Sequence, residues 1–150
     1  MRLSDVLSTS AIKVGLQSVD KVEVIEELVH QLVSSGQLSW RGPAVDAVLL
    51  REEKMSTGIG GGIAIPHAQV PGLAGLKVVV GISSAGIDFG ALDGDPVHVF
   101  FLILSSLDNP GGHLETLAEI SRVCREPGFV DALKSAGSAE AVLECIRNVE

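Results

Sequence analysis

The chain has 150 residues, 46% of them hydrophobic and 3% aromatic, with no tyrosine and a formal net charge of -8 at pH 7. That length suits one domain over residues 1–150 with a substantial core, and the apolar content excludes a disordered chain. An acidic chain without a basic footprint or stacking platforms is a poor partner for nucleic acid, although one local anion pocket remains compatible with it.

The opening Met1-Arg2-Leu3-Ser4-Asp5-Val6-Leu7 has an acid and no long apolar stretch, so it does not read as a secretory signal. Ser4 is placed to cap a short turn over Asp5 to Leu7. Ala11 to Leu16 alternates weakly and predicts a first strand. Asp20 followed by Glu23 has capping-box spacing, with Val22, Ile25, Leu28, Val29, Leu32 and Val33 on one helical face behind it. Gly36 closes that helix, and His30, off the apolar face, reads as solvated. Pro43 suits the first turn of a second helix, which runs through Val45 and Val48 toward Arg51-Glu52-Glu53-Lys54.

A glycine-rich stretch follows. Gly58, Gly60, Gly61 and Gly62 precede Ile63-Ala64-Ile65, and that apolar run ends in Pro66-His67. Proline fixes its own φ and holds the preceding residue extended, so a strand is predicted to stop at Pro66 and present His67 at its end. Leu76 to Ile82 and Val97 to Leu104 are nearly unbroken apolar runs, suited to strands covered on both faces. The second is far shorter than the ~20 residues of a membrane helix. His98, inside it, reads as a histidine hydrogen-bonded to its surroundings. Asn109-Pro110 opens a third helix with a predicted face of Leu114, Leu117, Ala118, Ser121 and Val123-Cys124. Phe129 to Ala136 and a segment capped by Ser138 are the last helices. Helices alternating with doubly covered strands predict an α/β fold, a three-layer α/β/α sandwich. Cys124 and Cys145 lack C-x-x-C spacing and sit in predicted helices, which suits a soluble, reduced, cytoplasmic chain without direct membrane insertion.

The glycine stretch is neither a P-loop nor a dinucleotide fingerprint: no Gly-Lys-Ser/Thr occurs, and the pattern from Gly58 meets Ile63 where a third glycine is needed. No nucleophile elbow occurs, and His67 has no carboxylate or cysteine at ligand spacing, so no metal is expected. Nucleophilic catalysis by the imidazole itself fits the residues present, because its pKa leaves much of it unprotonated at neutral pH. Phosphoryl chemistry there needs donors for the transferred oxygens. The backbone of Gly58 and Gly60, the hydroxyls of Ser56 and Thr57, and the guanidinium of Arg51 are the candidates. A purely structural glycine hairpin ending in an exposed histidine fits the same residues.

Glu52, Ile59, Gly60, Ile63, Ala64, Ile65, Pro66, His67 and Ala68 fill every position of a known pattern. Together they resemble the phosphohistidine signature of IIA proteins of the fructose/mannitol class in the bacterial phosphoenolpyruvate-dependent phosphotransferase system (PTS). The opening L-S-D-V-L, the segment from Ile87 to Val97 and the segment from His113 to Ser121 also resemble that family. The resemblance implies the PTS IIA type 2 fold (phosphotransferase/anion transport protein-like), with a mixed β-sheet between helices. It implies a phosphotransferase without a cofactor, in which His67 takes a phosphoryl group on Nε2 from the carrier HPr and passes it to a IIB protein or domain of fructose type. In the nitrogen-regulatory branch of the same family, the phosphorylation state instead controls binding to a regulatory target protein. By the same resemblance Arg51 steadies the phosphoryl group, and His113 hydrogen-bonds it or tunes His67. The run Gly60-Gly61-Gly62 departs from the family, where Gly61 is often polar.

Overall fold

A computed structural model describes all of Met1 to Glu150. In chain order the elements are β1 (Ile12–Val14), α1 (Lys21–Ser34), α2 (Gly42–Lys54), β2 (Gly58–Gly60), β3 (Ile63–Ala64), β4 (His67–Gln69), β5 (Lys77–Ile87), β6 (Val97–Ser105), α3 (Pro110–Cys124), α4 (Phe129–Ser135) and α5 (Ala139–Val149).

The two long apolar runs are the centre of one mixed sheet. β5 and β6 pair antiparallel, with Val80 opposite Phe101 and Val78 opposite Ile103. β1 joins the outer side of β5 in parallel, and β3 joins the other side of β6 in parallel, followed outward by antiparallel β2. Every residue of β6 except His98 is buried, which requires cover on both faces. α1 packs on β5 and against α2, whereas α3, α4 and α5 pack on one another and on the sheet. The predicted three-layer α/β/α arrangement is therefore the observed one, with an open sheet.

Local sequence signals account for most boundaries. The Asp20 carboxylate accepts from the Glu23 N–H at 2.9 Å, while Glu23 reaches back to the Val19 N–H at 3.1 Å. Gly36 has φ of 80°, and the paired bonds Gly36 N–H to Val33 O and Gln37 N–H to Leu32 O end α1 in a left-handed cap. The helix is rotated slightly from its predicted face: Val24 is buried and Val22 is 48% exposed. β1 is shorter than Ala11–Leu16, because Gly15 at φ 83° turns the chain and both Gly15 and Leu16 donate to the Ile82 carbonyl. Ser4 is not a cap. It lies inside a 3₁₀ turn, and its N–H and hydroxyl both donate to the Glu150 side-chain carboxylate.

The proline stop has a different consequence from the one expected. β3 ends at Ala64, but the chain does not leave the sheet. Pro66, with no N–H to give, still accepts from the Ile103 N–H at 2.9 Å, and β4 then pairs in parallel with the far end of β6, His67 opposite Ile103. His67 thus opens a second short strand on the same side of β6. The interruption replaces one continuous edge with two segments and sets the histidine at the junction.

Candidate functional site

His67 is held from both sides of its backbone. Its peptide belongs to β4, and its ring Nδ1 lies 2.8 Å from the Ile65 carbonyl oxygen. A carbonyl only accepts, so Nδ1 carries the hydrogen and donates it. The tautomer follows: Nε2 keeps its lone pair. Nε2 has no protein partner, yet no buried side-chain nitrogen or oxygen is left unpaired, so this atom opens to solvent.

It opens into a cleft of about 530 Å³ between α2, β4 and the start of α3. Arg51 and Lys54 come from the last turn of α2, and His113 from the first turn of α3. Asn109 sets that turn by accepting the Gly112 N–H at 3.1 Å, with Pro110 just inside it. The rings of His67 and His113 stand 5.2 Å apart, centroid to centroid, tilted by 57°. His113 is buried, and its Nδ1 lies 2.7 Å from the Ser105 hydroxyl. The chain holds 19 acidic residues, but none lines this cleft, whereas two cations do. The acidic chain thus has a cleft lined by two cations and no carboxylate, with an unprotonated imidazole nitrogen facing into it.

Burial lowers the pKa of both histidines below the ordinary value. At His67 the Ile65 carbonyl works against that shift and the Arg51 charge adds to it; at His113 the neighbouring His67 adds to it. The sign for stability follows. As pH falls through about 6.5, an unfolded chain protonates its histidines while the two native rings stay neutral. The unfolded state then binds more protons, so stability present above that pH declines as pH drops toward the lowered native values. Carboxylate linkage begins only near about pH 4.5 and below. Urea titrations at pH 7.5 and 5.5 are expected to show a lower midpoint at the acid pH, and a smaller drop in a His67→Gln/His113→Gln variant.

The expected loop donors are not at this site. Ser56, Thr57, Gly58 and Gly60 do not line the cleft, and the donors of the first three are engaged elsewhere. The buried Thr57 gives its N–H and its hydroxyl to the Glu52 carboxylate, at 2.9 and 2.7 Å. Ser56 donates to the Phe89 carbonyl and accepts from the Gly58 N–H. The hairpin itself faces the Asp93 carboxylate, which takes the Gly61 N–H at 3.0 Å and would repel a phosphoryl dianion. The glycines serve geometry instead. Gly60, Gly61 and Gly62 have φ of 94°, 67° and 82°, and a Cβ at Gly58 would stand 2.8 Å from that of Ala91.

A family model described as "Phosphoenolpyruvate-dependent sugar phosphotransferase system, EIIA 2" matches residues 5–149. The chain belongs to the EIIA 2 family. This EIIA 2 chain is 35% identical over 146 residues to the fructose-specific EIIABC component of Bacillus subtilis, covering 97% of itself but only 23% of that protein. It is 32% identical over 143 residues to the nitrogen regulatory protein of Bradyrhizobium diazoefficiens, covering 95% of itself and 92% of the relative. The crystal structure of the nitrogen regulatory protein IIA-Ntr of Neisseria meningitidis superposes with a TM-score of 0.88 at 26% identity, over 96% of this chain and 98% of that one.

Within this EIIA 2 site the fold brings together His67, His113 and Arg51, which lie far apart in sequence. Ser105, Lys54 and the tethering role of Glu52 were missed. The face of α3 explains part of this: its buried residues are His113, Thr116, Ile120 and Val123, while Leu114 is 65% exposed. Two polar side chains occupy core-facing positions, so apolar periodicity alone points to the wrong stripe. Ser105 ends an otherwise apolar strand and has no motif to mark it. His98, at the other end of β6, sits at 2.8 Å from the Ser83 carbonyl, the local hydrogen bond expected of it. His30 is exposed.

Proposed function

We propose that this protein is a phosphocarrier that works in the cytoplasm, with His67 as the nucleophile. The observation that carries the reading is the tautomer lock: Nδ1 donates to the Ile65 carbonyl and leaves the Nε2 lone pair facing a cleft with two cations and no acid. Nε2 attacks the phosphorus of a phosphohistidine on HPr. The donor N–P bond breaks and its electron pair returns to the donor imidazole. In the second step a nucleophile of a IIB protein attacks the same phosphorus, and the electron pair of the His67 N–P bond returns to Nε2. The hydrogen stays on Nδ1, donated to the Ile65 carbonyl throughout, so His67 exchanges no proton in either direction. Arg51, Lys54 and His113 surround the transferred oxygens, and positioning plus countercharge is what phosphoryl transfer mainly requires.

The rim suits protein partners. Leu50, Leu107 and Leu114 line the cleft and are 61%, 55% and 65% exposed, forming an apolar border around a charged centre. Arg51→Ala is expected to slow phosphoryl transfer about a hundredfold, as loss of one oxyanion donor does. Its one hydrogen bond within the fold goes to the Met55 carbonyl, so the thermal midpoint should barely move. Stopped transfer from phospho-HPr and a melting curve check both halves; an unchanged rate removes Arg51 from the site.

A second reading shares the site and changes the destination. The Bradyrhizobium relative matches over nearly its whole length and carries a regulatory name. In that reading the phosphorylation state of His67 controls binding to a regulatory target, and no sugar is modified. Incubation of the phosphorylated protein with a fructose-type IIB and its sugar separates the two. Sugar phosphate supports transport, whereas a phosphoryl group that stays on His67 with each IIB supports regulation.

A further inference from the structure

Behind the cleft, Ser105 has no part in the chemistry described so far. Ser105, the last residue of β6, is 2% exposed, and its hydroxyl touches His113 Nδ1 at 2.7 Å. The Ser105 hydroxyl has no other hydrogen-bond partner. A buried hydroxyl must place its hydrogen on an acceptor, and Nδ1 is the one acceptor it meets. A donor at Nδ1 of the ring would instead leave the serine hydrogen buried with nothing to receive it, a costly arrangement.

We propose that Ser105 is a positioning residue: by donating to Nδ1 it fixes His113 as the Nε2–H tautomer, so that a neutral histidine serves as a hydrogen-bond donor to the phosphoryl group on His67. The two rings therefore hold opposite tautomers. His67 is hydrogenated at Nδ1, toward the Ile65 carbonyl, and offers a lone pair; His113 is hydrogenated at Nε2 and offers a proton. Nε2 of His113 has no protein partner and is not a buried unpaired atom, so it is open, and the ring lines the same cleft as His67. Burial lowers the His113 pKa, which keeps the ring neutral and makes the tautomer decisive. In the other tautomer the lone pair of Nε2 would face the phosphoryl oxygens and repel them. This inference rests on the phosphocarrier reading for its consequence, but the tautomer itself can be measured without any transfer.

Nitrogen-15 NMR of the unmodified protein at neutral pH gives the first test. A pyridine-like Nδ1 and a pyrrole-like Nε2 on His113 are expected; the reverse pattern overturns the proposal even if His67 is phosphorylated normally. Ser105→Ala is expected to lose that bias and to slow transfer from phospho-HPr about tenfold, the worth of one ordinary hydrogen bond. Ser105→Thr, which keeps the hydroxyl, should restore both the nitrogen pattern and the rate. If Ser105→Ala alters neither, the serine does not act through His113. Absence of labelling in the unmodified protein, with the expected tautomers present, refutes the phosphocarrier reading and leaves the tautomer assignment standing.

Discussion

His67→Ala removes phosphoryl acceptance from phospho-HPr, a loss of at least about a thousandfold and in practice down to background. The size follows from the absence of a substitute. His113 stands 5.2 Å away, centroid to centroid, and is the nearest ring, but it is buried and its open nitrogen is assigned here as a donor. A donor nitrogen has no lone pair to attack phosphorus with. Cys124 is no replacement either, since burial pushes its thiol up to about 12 and keeps it protonated. The fold should survive the substitution: His67 is half-buried, and the Ile103 N–H bond that anchors this corner goes to the Pro66 carbonyl. A circular dichroism spectrum unchanged from the parent, together with lost labelling, separates chemistry from folding. Labelling that persists in His67→Ala moves the nucleophile elsewhere.

Glu52→Ala is the substitution expected to cost most stability, about 2–4 kcal/mol. Glu52 is buried at 5% exposure at the end of α2, and its carboxylate receives the Thr57 N–H, the Thr57 hydroxyl and the Lys21 ammonium. Removing it leaves a buried N–H and a buried hydroxyl without acceptors. Lys21, about one-third exposed, can return to water, so the loss lies mainly at Thr57. A chain of this length is expected to lose about 5–10 °C of melting temperature for such a change. Glu52→Gln keeps an acceptor for Thr57 and should lose less. Urea unfolding at constant slope gives the comparison, and equal midpoints for Glu52→Ala and the parent would show that the tether carries no stability. The same tether orients the loop: the Thr57 carbonyl accepts from the Ile65 N–H at 3.0 Å, and Ile65 in turn holds the His67 ring.

These two residues show what was readable in the sequence and what was not. Pro66-His67 marked a chain interruption with an imidazole attached, and the interruption is real. Its local chemistry did not reveal that the strand resumes at His67, because that depends on β6 offering an Ile103 N–H and a free edge farther along. The two long apolar strands and most helices were legible from burial pattern and capping residues, as at Asp20, Asn109 and Ser138. The loop donors lie away from the cleft for a definite reason. Ser and Thr followed by a glycine run look like an anion cradle in one dimension, but Asp93, from a turn more than thirty residues away in sequence, occupies the Gly61 amide. Arg51 is a candidate by its chemistry and by family likeness, His113 by family likeness alone; their meeting with His67 is a property of packing. Ser105 carries no local signal at all, since a serine at the end of a strand is ordinary until the helix that follows places an imidazole over it.

The most direct measurement is the position of the phosphoryl group after incubation with phosphoenolpyruvate, Enzyme I and HPr. Phosphorus–nitrogen NMR on the nitrogen-15-labelled protein, backed by peptide mass spectrometry, reads it atom by atom. One acid-labile phosphoryl group on Nε2 of His67, with Nδ1 still hydrogenated, is the predicted result. A phosphoryl group on Nδ1 of His67, on His113 or on no histidine would contradict the tautomer lock on which the mechanism rests.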